Sequence, residues 1–149
     1  MFRTLIAVAA FALASPALAA EAQVAVTDAF ARATLPGAPV GGAYMTLTAD
    51  ADDRLVSAST DAAGTVSIHE MTMKGGRMQM RAANGLPLPA DTAVTLAPSG
   101  THLMLEDLAA PLIEGQTITL KLTFENAAPV EVEVPVRAIN AQQGHHHHH

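Results

Sequence analysis

The chain has 149 residues, 50% of them apolar but only 3% aromatic, with no tryptophan and no cysteine. That is enough for one domain whose core is built from Val, Leu, Ile and Ala. The formal net charge of −6 leaves no basic face for nucleic acid or for an anionic membrane surface, and the lack of cysteine excludes disulfides, thiolate catalysis, zinc ribbons and lipid anchoring through an N-terminal thiol.

Residues 1–19 read as a secretory signal peptide. Arg3 starts it, Leu5 to Ala14 form a short apolar stretch, Pro16 breaks that stretch, and Ala17-Leu18-Ala19 offers small residues for cleavage. Cleavage is expected after Ala19, with Ala20 as the alternative, so the domain works outside the cytoplasm. The stretch is too short and too alanine-rich to suit a membrane anchor, and no stable membrane insertion is expected after cleavage.

The domain is expected over residues 20–140. Its clearest strand runs Thr117 to Phe124, where Ile118, Leu120, Leu122 and Phe124 alternate with polar residues. Val130, Val132, Val134 and Val136 alternate in the same way, and Pro135 suggests an edge or a bulge there. Further strands are expected at Gln23 to Ala31, Ala43 to Thr48, Leu55 to Ser59, Val66 to Met73, Arg77 to Ala82, Val94 to Ala97 and His102 to Leu105. Asp107 to Glu114 reads as a loop with room for one helical turn, and Asp52-Asp53 as solvated loop charges. About nine short strands with frequent turns argue for an all-β sandwich or barrel. Residues 141–149 form a tail whose run His145 to His149 is either a native extension or a purification tag. A native run would be a cluster of imidazoles suited to Cu(II).

With the tail set aside, the chain holds two histidines, His69 and His102, and each stands beside methionines at strand spacing. Alternation turns Val66 and Ile68 to the core while His69, Met71 and Met73 share the other face. In the same way Leu103 and Leu105 turn inward while His102 and Met104 share the opposite face. Gly75-Gly76 is a good two-residue hairpin loop. It would pair 74 with 77, 73 with 78 and 71 with 80, leaving Met80 diagonal to His69 and within reach of it. His102 and Met104 could complete a set of four ligands, with Met71 open as a substitute. Soft, neutral thioethers favour Cu(I) over zinc, calcium or magnesium, and without cysteine a blue-copper electron carrier is excluded. Met45 belongs to the core or supports the site. Two histidines allow no Ser-His-Asp set beyond the ligands, so no enzyme is expected.

At these positions the sequence resembles the periplasmic copper chaperones of the PCu(A)C type. Their signature is a His, ten residues, a Met, twenty-one residues, then His-x-Met; His69, Met80 and His102-Leu103-Met104 reproduce it with both gaps. Further likeness lies in Asp28 to Thr34, Gly42 to Met45, Asp53 to Val56, Leu105 to Leu108 and Pro111 to Gly115. The resemblance covers about Val24 to Val136. The family's Pro-Gly-Gly before His-x-Met is here Pro98-Ser99-Gly100, and its frequent aromatic at the next position is Thr101.

The resemblance implies a cupredoxin-like Greek-key β-sandwich with His69, Met80, His102 and Met104 as a Cu(I) site near the surface. It also implies a periplasmic, monomeric chaperone. Its partner would be the copper domain of cytochrome c oxidase, or another copper chaperone, during assembly of the oxidase copper centre. Some family members carry a C-terminal extension that binds Cu(II), as His145 to His149 would. Rival readings are a periplasmic copper buffer or resistance protein using the same site, and an exported structural binding domain that holds no metal.

Overall fold

The structure is a computed structural model that describes residues 22–142. The expected signal peptide at 1–19 and histidine run at 145–149 lie outside the described residues. Ten strands follow in chain order: β1 (Val24–Arg32), β2 (Val40–Ala49), β3 (Asp53–Ser59), β4 (Ala63–Lys74), β5 (Arg77–Ala82), β6 (Leu86–Leu88), β7 (Ala93–Thr95), β8 (His102–Leu108), β9 (Thr117–Phe124) and β10 (Val130–Arg137). No helix forms among the described residues.

Strand pairing runs β5-β4-β8-β2-β1-β10-β9-β3-β6, and a further β3–β4 pairing joins the two arms. Seven strands thereby close into a ring, leaving β5, β6 and β7 attached to its outside or ends. The closure at the β3–β4 seam is a single pair, Ala58↔Val66. All ladders are antiparallel except β1–β10, which holds only Ala31↔Val136 and Arg32↔Arg137.

The alternating sequence builds this wall directly. In β9, Ile118, Leu120, Leu122 and Phe124 are buried, and in β10, Val132, Val134 and Val136 join them. Their neighbours Thr117, Lys121, Glu131 and Glu133 face solvent. Met45, Leu47, Leu55, Leu103 and Leu105 fill the interior, which assigns Met45 to the core. Few aromatics are needed, because interdigitated aliphatic chains fill a narrow β interior well.

Four sequence expectations need correction. Leu86–Leu88 forms a strand the sequence did not announce, since three residues carry no usable alternation. Asp107 and Leu108 complete β8 instead of starting a loop, with Asp107 in the left-handed region at φ 54°. Strand β10 lies inside the sheet, between β9 and β1, rather than at its edge. Pro135 is tolerated because β1 pairs only from Val136 onward, so the proline, paired with Thr117 on the β9 side, needs no donor toward β1. Finally, Asp53 is no idle loop charge: its carboxylate accepts the N–H groups of Arg54, Asn126 and Ala127 at 2.8, 2.9 and 2.8 Å. It clasps the start of β3 to the β9–β10 connection. Asp52 likewise accepts the Ala90 N–H at 2.8 Å.

Candidate metal centre

Strand β4 is longer than the barrel needs. From Ala63 to His69 it pairs with β8, and from His69 to Lys74 with β5. His69 belongs to both ladders, opposite His102 on one side and Ala82 on the other. Below this point the inward positions are Val66 and Ile68. Beyond it the same parity carries Glu70, Thr72 and Lys74, because the hairpin has outrun the core and has nothing apolar to pack against. Gly75 and Gly76 turn the chain with φ of 61° and 78°, the paired positive values of a type I′ loop. Met71↔Met80 and Met73↔Met78 then face each other, the pairing that a Gly-Gly loop predicts.

His69, Met80, His102 and Met104 all project from the outer face of β5, β4 and β8. The imidazoles of His69 and His102 are stacked, with centroids 6.1 Å apart and planes inclined by 23°. Met104 is paired with Ser67, two residues from His69, and Met80 is diagonal to His69 across the hairpin. His102 is only 7% exposed whereas Met80 is 48% exposed, so the group grades from a buried imidazole to an open thioether.

Hydrogen bonding fixes which ring nitrogens are free. The Gly100 carbonyl can only accept, so His102 Nδ1, 3.0 Å away, donates to it. In the neutral ring Nε2 then keeps its lone pair. Ser67 gives its one hydroxyl proton to Glu106 at 3.1 Å. Its oxygen must therefore accept from His69 Nε2, at 2.8 Å. That leaves the lone pair on His69 Nδ1, which is buried and has no hydrogen-bond partner among the described residues. Such an orphan costs about 1–3 kcal/mol, and a bound cation would remove the penalty. Among the described residues no three His, Cys, Asp or Glu side chains converge on a point, so a metal held here depends on thioether sulfur. Two imidazoles and two thioethers suit a soft ion of low charge.

Three neighbours escaped the sequence reading. Ser67 and Glu106 lie two residues from His69 and Met104 on the same face, so strand alternation applied to polar residues would have found them. Tyr44, opposite His102 in the wall, has its ring centroid 6.3 Å from that imidazole. Burial pushes its phenol above the ordinary range, partly offset by Arg32, whose guanidinium lies 5.6 Å from the ring. A Cβ at Gly42 would collide with the Tyr44 hydroxyl, so glycine there lets the ring lie flat beside the site. A groove of about 360 Å³ runs past Leu35, Val40, Gly42 and Tyr44 to His102 and Met104.

This wall matches that of PCuAC domains. The structure titled copper-bound PCuAC domain from PmoF2 is 26% identical with TM-score 0.67, covering 80% of this chain and 97% of that one. The solution structure of CuI-DR1885 from Deinococcus radiodurans is 31% identical with TM-score 0.61, covering 78% and 80%.

The chain belongs to the family described as "Putative lipoprotein LpqE-like", which it matches over residues 24–136. A curated relative, "Putative lipoprotein Lxx21020" of Leifsonia xyli subsp. xyli, is 39% identical over 84 residues, 56% of this chain. The match spans about half of that relative, 51% of its length. These 149 residues contain no cysteine.

Proposed function

We propose that this chain is an exported, non-enzymatic copper chaperone. It holds one Cu(I) ion through His69 Nδ1, His102 Nε2 and the sulfurs of Met80 and Met104. It delivers the ion in the periplasm for assembly of the cytochrome c oxidase copper centre. The observation that carries this reading is the pair of stacked imidazoles, each with one nitrogen committed and one lone pair open, beside two thioethers. The copper-bound neighbours and the spacing of the four residues support it.

All four donors are neutral, so the bound ion keeps its single positive charge and gains nothing from a second. Neutral thioethers hold a soft ion without the permanence of a thiolate cage. Transfer then proceeds by ligand exchange: an acceptor thiolate bonds to copper as a thioether leaves, with no change of oxidation state. Met80 is open to such an approach, and the groove beside His102 and Met104 gives an acceptor surface a place to lie. If native, the histidine run at 145–149 offers imidazoles alone, a donor set for Cu(II).

Competitive Cu(I) titration against a chromophoric chelator tests the site, on protein lacking residues 1–19 and 145–149. Tight one-to-one binding that collapses in Met104→Ala and His69→Ala is expected. Binding that disappears with the tail would move the metal out of the domain altogether. Incubating the loaded protein with an isolated oxidase copper domain then separates delivery, which moves the ion, from buffering, which leaves it in place.

A further inference from the structure

Five of the six described methionines lie on one face, and the four-donor site uses two of them. Met71, Met73 and Met78 remain. They occupy neighbouring positions on the β4–β5 hairpin: Met73 is opposite Met78, and Met71 is two residues inward, opposite Met80. None fills a gap in the core. Met73 is 66% exposed and Met78 is 55% exposed, which forgoes the burial that ordinarily justifies a methionine. The other face of the hairpin carries Glu70, Thr72, Lys74, Arg77, Gln79 and Arg81. The thioethers are therefore segregated from every charge on the hairpin, not scattered through it.

We propose that Met71, Met73 and Met78 form a second, outer site for a soft monovalent cation, through which copper(I) enters and reaches the four-donor site. The proposal rests on the four-donor reading for the ion's destination. Directly opposed strand residues have Cβ atoms about 4.5–5.5 Å apart and diagonal ones about 7–8 Å. Three flexible side chains at those positions can bring their sulfurs to one ion, and each is neutral and soft. With no imidazole in the set, the outer site binds more weakly than the inner one. Met71 faces Met80, so an ion at the outer site can gain the Met80 sulfur as it loses that of Met73 or Met78. The ion stays monovalent throughout, and each new sulfur bond replaces an old one.

The test is a titration of the full chain, methyl-labelled at methionine, with Ag(I) as a redox-inert soft cation followed by NMR. Residue-resolved methyl signals keep any binding by the histidine run from confusing the result. The Met80 and Met104 methyls are expected to shift first, and those of Met71, Met73 and Met78 to shift together at higher Ag(I). In the double variant Met73→Leu/Met78→Leu, the Met71 shift at high Ag(I) should vanish while Met80 and Met104 respond as before. The outer site is overturned if the Met73 and Met78 methyls stay still at saturating Ag(I). It is equally overturned if all five methyls move together in one step, which would make them a single site. A still Met80 and Met104 with moving Met71, Met73 and Met78 would instead sink the four-donor reading and leave the outer site standing.

Discussion

Ser67 has one proton to give, and where it goes decides which nitrogen of His69 keeps its lone pair. With that proton on Glu106, Nε2 of the imidazole is pinned as a donor and Nδ1 is left bare. Ser67→Ala releases the ring to sample both tautomers. Removing such an orienting partner typically lowers metal affinity about 10–100-fold, and the loss of its two part-buried hydrogen bonds should cost about 1–3 kcal/mol in stability. Chelator competition and nitrogen-15 NMR of the imidazole read the two effects separately; unchanged affinity together with an unchanged tautomer would mean that the ring is held by something else. The methionines divide as sharply. Met45→Ala opens a cavity among buried aliphatic chains and should cost about 2–5 kcal/mol, whereas Met73→Ala should stay within about 0.5 kcal/mol. Chemical denaturation distinguishes them. The sequence already hinted at this division, because Met45 sits in an apolar run and Met73 beside Lys74-Gly75-Gly76. It was silent on Ser67 and Glu106, whose importance comes from a hydrogen bond across two strands that are 39 residues apart in the chain.

At the scale of elements, strands with strict alternation were legible almost to the residue. Thr117–Phe124 and Arg77–Ala82 appear with the expected bounds, because each is fixed by local pattern and turn chemistry. The β4–β5 register followed from two glycines, and Gly76→Ala tests it. An L-residue in the left-handed region costs roughly 1–2 kcal/mol, so amide exchange in β5 should quicken while the global midpoint barely moves. What could not be read was any element held by a distant partner. Asp53 looked like a surface charge because its donors, Asn126 and Ala127, follow it by more than seventy residues. Burial pushes its carboxyl up, but the backbone N–H groups of Asn126, Arg54, Ala127 and Glu125 outweigh that and hold it below the ordinary value. Its contribution to stability is thus complete above the unfolded carboxylate pKa of about 3.9 and is lost as pH falls through the lower folded value. Asp53→Asn should lower the denaturation midpoint at neutral pH and flatten its fall in acid; parallel pH profiles for the two proteins would show that the clasp contributes nothing.

For the whole molecule, the all-β class followed from strand count and turn frequency, whereas the closed ring did not. Ring closure depends on pairings between distant strands, for which alternation sets the face but never the neighbour. The parallel β1–β10 joint, which brings one end of the domain against the other, leaves no trace in either strand's pattern. The sheet's weakest joint matters in another way. The ring is sealed between β3 and β4 by the pair Ala58 and Val66 alone, so thermal breathing should split it there first. Splitting at that line leaves β5, β4, β8 and β2 as one continuous leaf. Every donor of both proposed sites stands on that leaf. The barrel can gape like a book without parting His69 from His102, and a bound ion would be carried through the opening rather than spilled by it.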